Sequence, residues 1–296
     1  MSAVQTASLV PARRRTLAER YPALRRFLRH RVALLGVGVV LLMTLFSFVG
    51  PWLMPFNDTD TDIRARLTEP FAGPHVFGTD PLGRDVMARL MYAGRISLSI
   101  GFAATALSVV VGVLVGLVAG FYRGAVGAVL MRFVDAMLCF PTIFLLLAVA
   151  ALIEPSVTSI VVLIAVASWM EVARVVEGQI RSLRERDFAL AAESLGASDS
   201  RIMFRELLPN AVAPIVVAAT LNIAHAILAE SYISFLGFGI QPPTPSWGNM
   251  LENAQSYLTN APWLAIVPGL AITLTVTSFN FIGDGLRDAL DAKLDR

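Results

Sequence analysis

The stretch Ile96-SLSIGFAATALSVVVGVLVGLVAG-Phe121 decides the architecture. No charged residue interrupts it, and it exceeds the roughly 20 apolar residues that a helix needs to cross the hydrocarbon core. Ala104, Ser108, Gly112, Gly116 and Gly120 recur along it at four-residue spacing, so they share one helical face. Small residues on one face let two helices approach closely where lipid provides no hydrophobic drive. This helix is expected in the interior of a bundle or at a subunit interface, with lining of a pathway as the other reading.

Five further apolar stretches flank it: Val32 to Phe56, Phe133 to Ile153, Ser156 to Ala173, Ala211 to Ile240 and Pro262 to Ile282. The expected fold is all-α, a polytopic membrane protein of six transmembrane helices. The chain divides into an arginine-rich tail (1–31), a first helix (32–56), a loop (57–95), a five-helix core (96–283) and a second tail (284–296). Pro141 and Pro214 fall inside spans, where a missing N–H and a ring clash predict kinks; Pro268 is a further candidate.

Composition agrees. Of the 296 residues, 56% are apolar and 16% charged, against about 25% charged in soluble domains. Mean hydropathy is +0.67. Lys293 is the single lysine and no Gly-Lys pair occurs, so the chain has no phosphate-binding loop of the G-x-x-x-x-G-K type. The chain cannot supply an ATP site of that type, and no cofactor is expected on it. His30, His75 and His225 are far apart, and no H-E-x-x-H or Cys/His cluster occurs, so no metal is expected. Cys139 has no partner for a disulfide and is expected to be a small buried side chain. No cleavable signal peptide is read, and nothing calls for nucleic acid.

Orientation follows the arginines, which collect on the cytoplasmic side. The first tail holds Arg13, Arg14, Arg15, Arg20, Arg25, Arg26, Arg29 and Arg31 against Glu19. Both termini are therefore expected in the cytoplasm, together with the loop Arg174 to Arg205. The segments Asn57 to Arg95 and Gln241 to Ala261 fall outside. The first of these carries Arg64, Arg66, Arg84, Arg89 and Arg95 against the trend, offset by neighbouring acids. Trp52, Trp247 and Trp263 fall near outer span ends, as an aromatic belt would place them. Tyr21, Leu24 and Leu28, interleaved with arginines, fit either an interfacial helix on anionic membrane lipid or a simple topology signal.

Ionisable groups at membrane depth usually face protein or water. Asp135 and Glu171 lie near predicted span ends, where they are cheap. Asn222, His225 and Glu230 run along the fifth span. Asn222 and His225 share a face at i and i+3, for a helix–helix hydrogen bond or a water-filled path. An unpaired carboxylate at Glu230 would need a proton or a partner. Beyond it, Gly237 and Gly239 loosen the helix and Pro242, Pro243 and Pro245 forbid its continuation. The chain must turn back there and carry Trp247 toward the interface or a pathway mouth.

The most patterned loop reads Leu190-Ala191-Ala192-Glu193-Ser194-Leu195-Gly196 and continues to Leu208-Pro209. A helix through Glu185–Leu195, a turn at Gly196 and a second helix from about Asp199 are expected, with Ser198 or Asp199 as cap and Pro209 as its end or bend. This pattern resembles the E-A-A-x3-G-x9-I-x-L-P docking motif of binding-protein-dependent ABC importer permeases. Leu190 stands where glutamate is usual and Glu206 where isoleucine is usual. Phe77-Gly78-Thr79-Asp80-x-x-Gly83-Arg84-Asp85, with Arg95-x-Ser97-Leu98, is similar to an outer segment of the peptide/nickel branch. So is Ser234-Phe235-Leu236-Gly237-x-Gly239-x-Gln241-Pro242-Pro243-x-Pro245-x-Trp247-Gly248.

The resemblance implies the second permease subunit, the dipeptide-permease C type, in a bacterial inner membrane. It further implies a homologous permease partner, two ATP-binding cassette subunits that use ATP and Mg, an extracytoplasmic substrate-binding protein and di- or oligopeptide cargo. ATPase coupling would then fall to Leu190, Ala191, Ala192, Glu193, Gly196, Leu208 and Pro209, and the pathway or gate to Asn222, His225, Glu230, Gly237 and Trp247. An ion-driven secondary transporter is the rival reading. It would need an inverted repeat or broken helices at the midplane, and no repeat is visible. No nucleophile–base set supports a membrane enzyme.

Overall fold

The computed structural model describes residues 22–252 and 254–290, which are mostly helical. Tyr21, the arginines before it and Lys293 lie outside that range. Short α1 (Pro22–Phe27) leads into α2 (Arg31–Phe48), whose first turn is capped by His30 Nδ1 accepting from Ala33 N at 3.1 Å. Leu24 and Leu28 are exposed beside Arg25 and Arg29. After α3 (Gly50–Leu53) the chain crosses a loop to α4 (Val86–Phe121).

The predicted third span is two helices, α5 (Ala125–Leu138) and α6 (Thr142–Ala150), bent by 79° at a break containing Pro141. Pro141 therefore breaks the span outright. The same break turns Cys139 outward, so this cysteine is exposed and the expectation of burial is corrected. α7 (Val157–Arg184) starts with a reciprocal Ser156–Ser159 capping box. α8 (Asp187–Ser194) and α9 (Asp199–Arg201) follow, then a π-helical segment Ile202–Leu207 that runs directly into α10 (Leu208–Phe235). α11 (Trp247–Glu252) and α12 (Trp263–Leu290) complete the order. Five of these helices are long and apolar enough to span a membrane, and the bent α5–α6 pair makes a sixth.

α4 is the central strut. It contributes Ile100 and Ala104 to one apolar cluster, Leu90, Ala93 and Leu98 to a second, and Leu117 and Phe121 to a third. Its small-residue face lies directly on α7. A Cβ added at Gly116 would stand 2.5 Å from the Ala173 carbonyl and 2.7 Å from Val176 Cβ. One at Gly112 would meet Trp169 O at 2.7 Å, and one at Gly120 would meet Glu177 O at 2.8 Å. Ala104 and Ser108 on the same face are buried. The outer surfaces are the reverse: Leu35, Leu41, Leu42 and Leu45 on α2, Val110 and Leu114 on α4, and Ile266 and Leu270 on α12 are exposed. Small inside and large apolar outside is the packing of a bundle solvated by lipid.

Candidate functional site

Three regions carry the sequence-predicted residues. The first is the segment between α7 and α10. α8 lays Ala189 against Ile202, Met203 and Leu207, and against Val176 and Ile180 of α7. This anchors one face and leaves the other free: Phe188, Leu190, Ala191, Glu193 and Leu195 are exposed, Leu195 at 87%. Three large apolar side chains held in the open at the end of a membrane bundle form a surface suited to a partner. Gly196 has φ +74, a left-handed turn that a Cβ penalises. Nothing lies within 4 Å of a Cβ placed there, so the space beside it is open.

The expected bend at Pro209 does not occur. The π segment, one residue wider per turn, stands before it, and Pro209 falls in the first turn of α10, where a missing N–H is tolerated. Ser198 occupies the cap position of α9 without making a side-chain cap bond. The base of this region is stitched to the end of α4. Arg184 bonds the Phe121 carbonyl and lies over its ring, and Arg123 pairs with Glu185 at 2.9 Å. Asp199 accepts from the Tyr122 hydroxyl, which raises the phenol pKa above its ordinary value.

The second region is at the opposite end, where both outer motifs prove to be folding devices. Asp80 Oδ1 accepts from Leu82 N and Arg84 N, closing a turn that passes Gly83, and Asp80 Oδ2 accepts from Arg84 Nε at 2.7 Å. A Cβ at Gly83 would collide with the Asp62 carbonyl. Asp85 caps α4 through Ala88 N and holds His75 Nδ1 at 2.8 Å. Arg95 donates to the Ser47 and Phe48 carbonyls at the end of α2, and Arg66 to the Pro81 carbonyl. Thus several arginines that run against the charge trend are held by local acceptors.

Glu230 sits at the centre of this end, fully buried. It needs a partner and has more than one: Ser97 Oγ donates at 2.8 Å and Ser234 Oγ at 2.7 Å. Ser97 Oγ also accepts from Trp247 N at 3.1 Å, so the carboxylate, α4 and α11 form one network. Trp247 is 1% exposed, with its indole N–H on the Leu90 carbonyl. Trp263 likewise donates to the Thr79 carbonyl. Only Trp52 of the three expected belt residues is exposed; the other two found backbone acceptors inside the protein. Gly237 ends α10 with φ +81, and α11 packs so closely that a Cβ at Gly248 would stand 2.5 Å from the Ser231 carbonyl.

The third region is a groove between α7 and α10. Asn222 and His225 do not act together. Asn222 is buried and donates to Ser108 Oγ of α4 at 2.9 Å, while the exposed His225 lies 3.7 Å from Glu171 of α7. Four residues after Glu171 and four before His225, Val175 and Leu221 line a cavity of about 760 Å³ that continues to Gln179, Arg186, Asn210 and Arg287. Glu171 was read from sequence only as a span-end acid; its pairing with His225 links helices that sequence spacing could not register. Among the described residues no three His, Cys, Asp or Glu side chains are grouped to hold a metal.

A helical bundle with a large apolar outer surface, a short exposed helix at one end and a buried polar network at the other is the architecture of a polytopic membrane protein. Residues 112–296 match the family described as binding-protein-dependent transport system inner membrane component. Residues 22–74 match the N-terminal transmembrane domain of oligopeptide transport permease C. The chain belongs to this family of ABC importer permeases, which work with ATPase subunits and a substrate-binding protein. Relatives include a dipeptide transport system permease protein of Alkalihalophilus pseudofirmus, 39% identical over 92% of this chain and 89% of that protein. A glutathione transport system permease protein of Pectobacterium atrosepticum is 41% identical over 91% and 90%. A di/tripeptide transport system permease protein of Pseudomonas aeruginosa is 38% identical over 90% of each.

Proposed function

We propose that this chain is one of two homologous permease subunits of an importer for di- or oligopeptides, that both termini lie in the cytoplasm, and that the chain itself is non-catalytic. The observation that carries the coupling role is the exposed apolar face of α8. Leu190, Ala191, Glu193 and Leu195 offer it to an ATPase subunit, while Ala189 and Ala192 hold the helix to the bundle. Gly196, Leu208 and Pro209 fix how that helix enters α10. ATP-driven movement of the motors displaces α8, and the displacement reaches the membrane through the contacts that join it to α7 and to the π segment ahead of α10.

The half-pathway on this subunit runs along the α7–α10 groove, with Glu171 and His225 at its head and Arg186 and Arg287 at its cytoplasmic end. Polar, exposed groups at membrane depth favour water or protein over lipid. Asn222, Glu230, Gly237 and Trp247 act behind this surface, holding α10 and the outer cap in register. Peptide cargo is favoured by the names of the dipeptide and di/tripeptide relatives; the glutathione relative marks the breadth of small peptides within such sequences.

The test is uptake into vesicles by the complex assembled with its permease partner and ATPases. Labelled dipeptide should enter only with ATP and the cognate binding protein. Uptake that follows an ion gradient without ATPases would replace this reading with secondary transport.

A further inference from the structure

The outer end of the molecule contains a buried guanidinium that makes no hydrogen bond among the described residues. Arg89 lies one turn into α4, and its side chain is 8% exposed. Its Nη1 is closed off from solvent without a hydrogen-bond partner, and the nearest acid, Asp80 Oδ2, stands 3.6 Å away. Asp80 is already engaged by Arg84 Nε and by the backbone N–H groups of Leu82 and Arg84. An arginine carries five N–H donors in a planar fork, and a buried guanidinium whose single counter-charge is shared and beyond hydrogen-bond reach is costly to keep. The arrangement is stable once a further acceptor is brought in.

There is room for one. Arg89 and Arg84 line a cavity of about 330 Å³ together with two acids, Asp80, which Arg84 already holds, and half-buried Glu252; Val86, Tyr257 and Leu264 wall it and exposed Ser256 borders it. It lies between the loop before α4 and the segment after α11, and it shares no lining residue with the α7–α10 groove. We propose that this cavity seats an acidic side chain of the substrate-binding protein. The volume suits one inserted side chain rather than an extended peptide. The apolar walls cover a methylene stem, and a carboxylate meets the guanidinium fork in the geometry that binds it most strongly. Separation from the groove favours a docking partner over cargo in transit. The inference rests on the importer reading above and on this end facing outward.

The complete complex, reconstituted in proteoliposomes, is titrated with its cognate peptide-loaded binding protein, and the concentration giving half-maximal stimulation of ATP hydrolysis is read at low and high salt. Arg89→Gln should raise that concentration about tenfold or more and flatten its salt dependence. Arg89→Lys should fall between, keeping charge and losing the fork. Ser256→Trp blocks the mouth from an exposed position, so it tests the same seat without disturbing the interior; it too should raise the concentration. An unchanged value in Ser256→Trp, with wild type normally stimulated, overturns the proposal. So does a fall in complex yield with no shift in the concentration, which makes Arg89 structural. A shift seen with free-carboxylate peptides and absent with amidated ones makes the cavity a cargo site and overturns it equally. A wild-type complex that no binding protein stimulates instead removes the importer reading beneath it.

Discussion

At the scale of single residues, two glycines in neighbouring helices separate packing from propensity. Gly116 faces the α7 backbone, whereas Gly178 has nothing within 4 Å of an added Cβ. Gly178→Ala should therefore gain about 0.5–1 kcal/mol of helix stability, and Gly116→Leu should lose about 1–3 kcal/mol or fail to assemble. Thermal unfolding of the purified complex, with yield from membranes, checks both; equal behaviour would mean that the small-residue face does not set the α4–α7 approach. Glu230 gives a second test. Glu230→Ala leaves the Ser97 and Ser234 hydroxyls without their acceptor, at about 1–3 kcal/mol per orphaned group, so it should destabilise the complex more than Ser234→Ala does. The glycine face was legible in the sequence because a four-residue period needs no knowledge of the partner. The partners of Glu230 were not, because Ser97 lies 133 positions away and no local pattern carries that pairing.

At the scale of elements, hydropathy located the spans and misjudged their ends. The second span was expected from Ile96, yet α4 begins at Val86, because Arg89 and Arg95 interrupt the apolar run while Asp85 supplies the cap. α7 was expected to end near Ala173 and continues to Arg184, its last turns polar but helix-forming and clamped to the end of α4. The π segment before Pro209 had no sequence signal that was read; the proline alone pointed to a bend. Gly196 yields the prediction at this scale. The open space around it excludes crowding within the chain, so its role must come from its positive φ or from a docked partner. Gly196→Val pays about 1–2 kcal/mol of left-handed strain and should tilt α8, lowering ATP-dependent uptake several-fold while leaving the subunit inserted. Gly196→Asn tolerates that backbone conformation better. Near-normal uptake in Asn with loss in Val assigns the effect to backbone geometry; equal loss in both assigns it to the surface presented to the ATPase.

At the scale of the whole molecule, α4 joins the two functional ends. Its 36 residues rise about 54 Å at 1.5 Å per residue, well beyond a hydrocarbon core of about 30 Å. One end holds Ser97 in the Glu230–Trp247 network, and at the other Phe121, Tyr122 and Arg123 meet Arg184, Asp199 and Glu185. Its central face is locked on α7. A rigid strut of this kind moves as a body, so displacement of α8 at one end should be felt at α11 at the other. The orientation this requires is checked by impermeant thiol labelling in a Cys139→Ala background. Cysteine at exposed Thr259 should react from outside and at exposed Asp199 only from inside; the reverse pattern would invert the molecule. The mechanical claim is tested by loosening the outer attachment alone. Trp247→Phe removes the indole N–H bond to the Leu90 carbonyl and keeps most of the buried ring. The complex should still assemble, and the ATPases should still hydrolyse ATP through an intact docking helix. Peptide delivered per ATP consumed should fall about two- to tenfold, since a cap left with the backbone bond to Ser97 but without the indole bond follows α4 less closely. An unchanged ratio, or a loss of uptake matched by an equal loss of assembled complex, would reduce the α4–α11 contact to scaffolding.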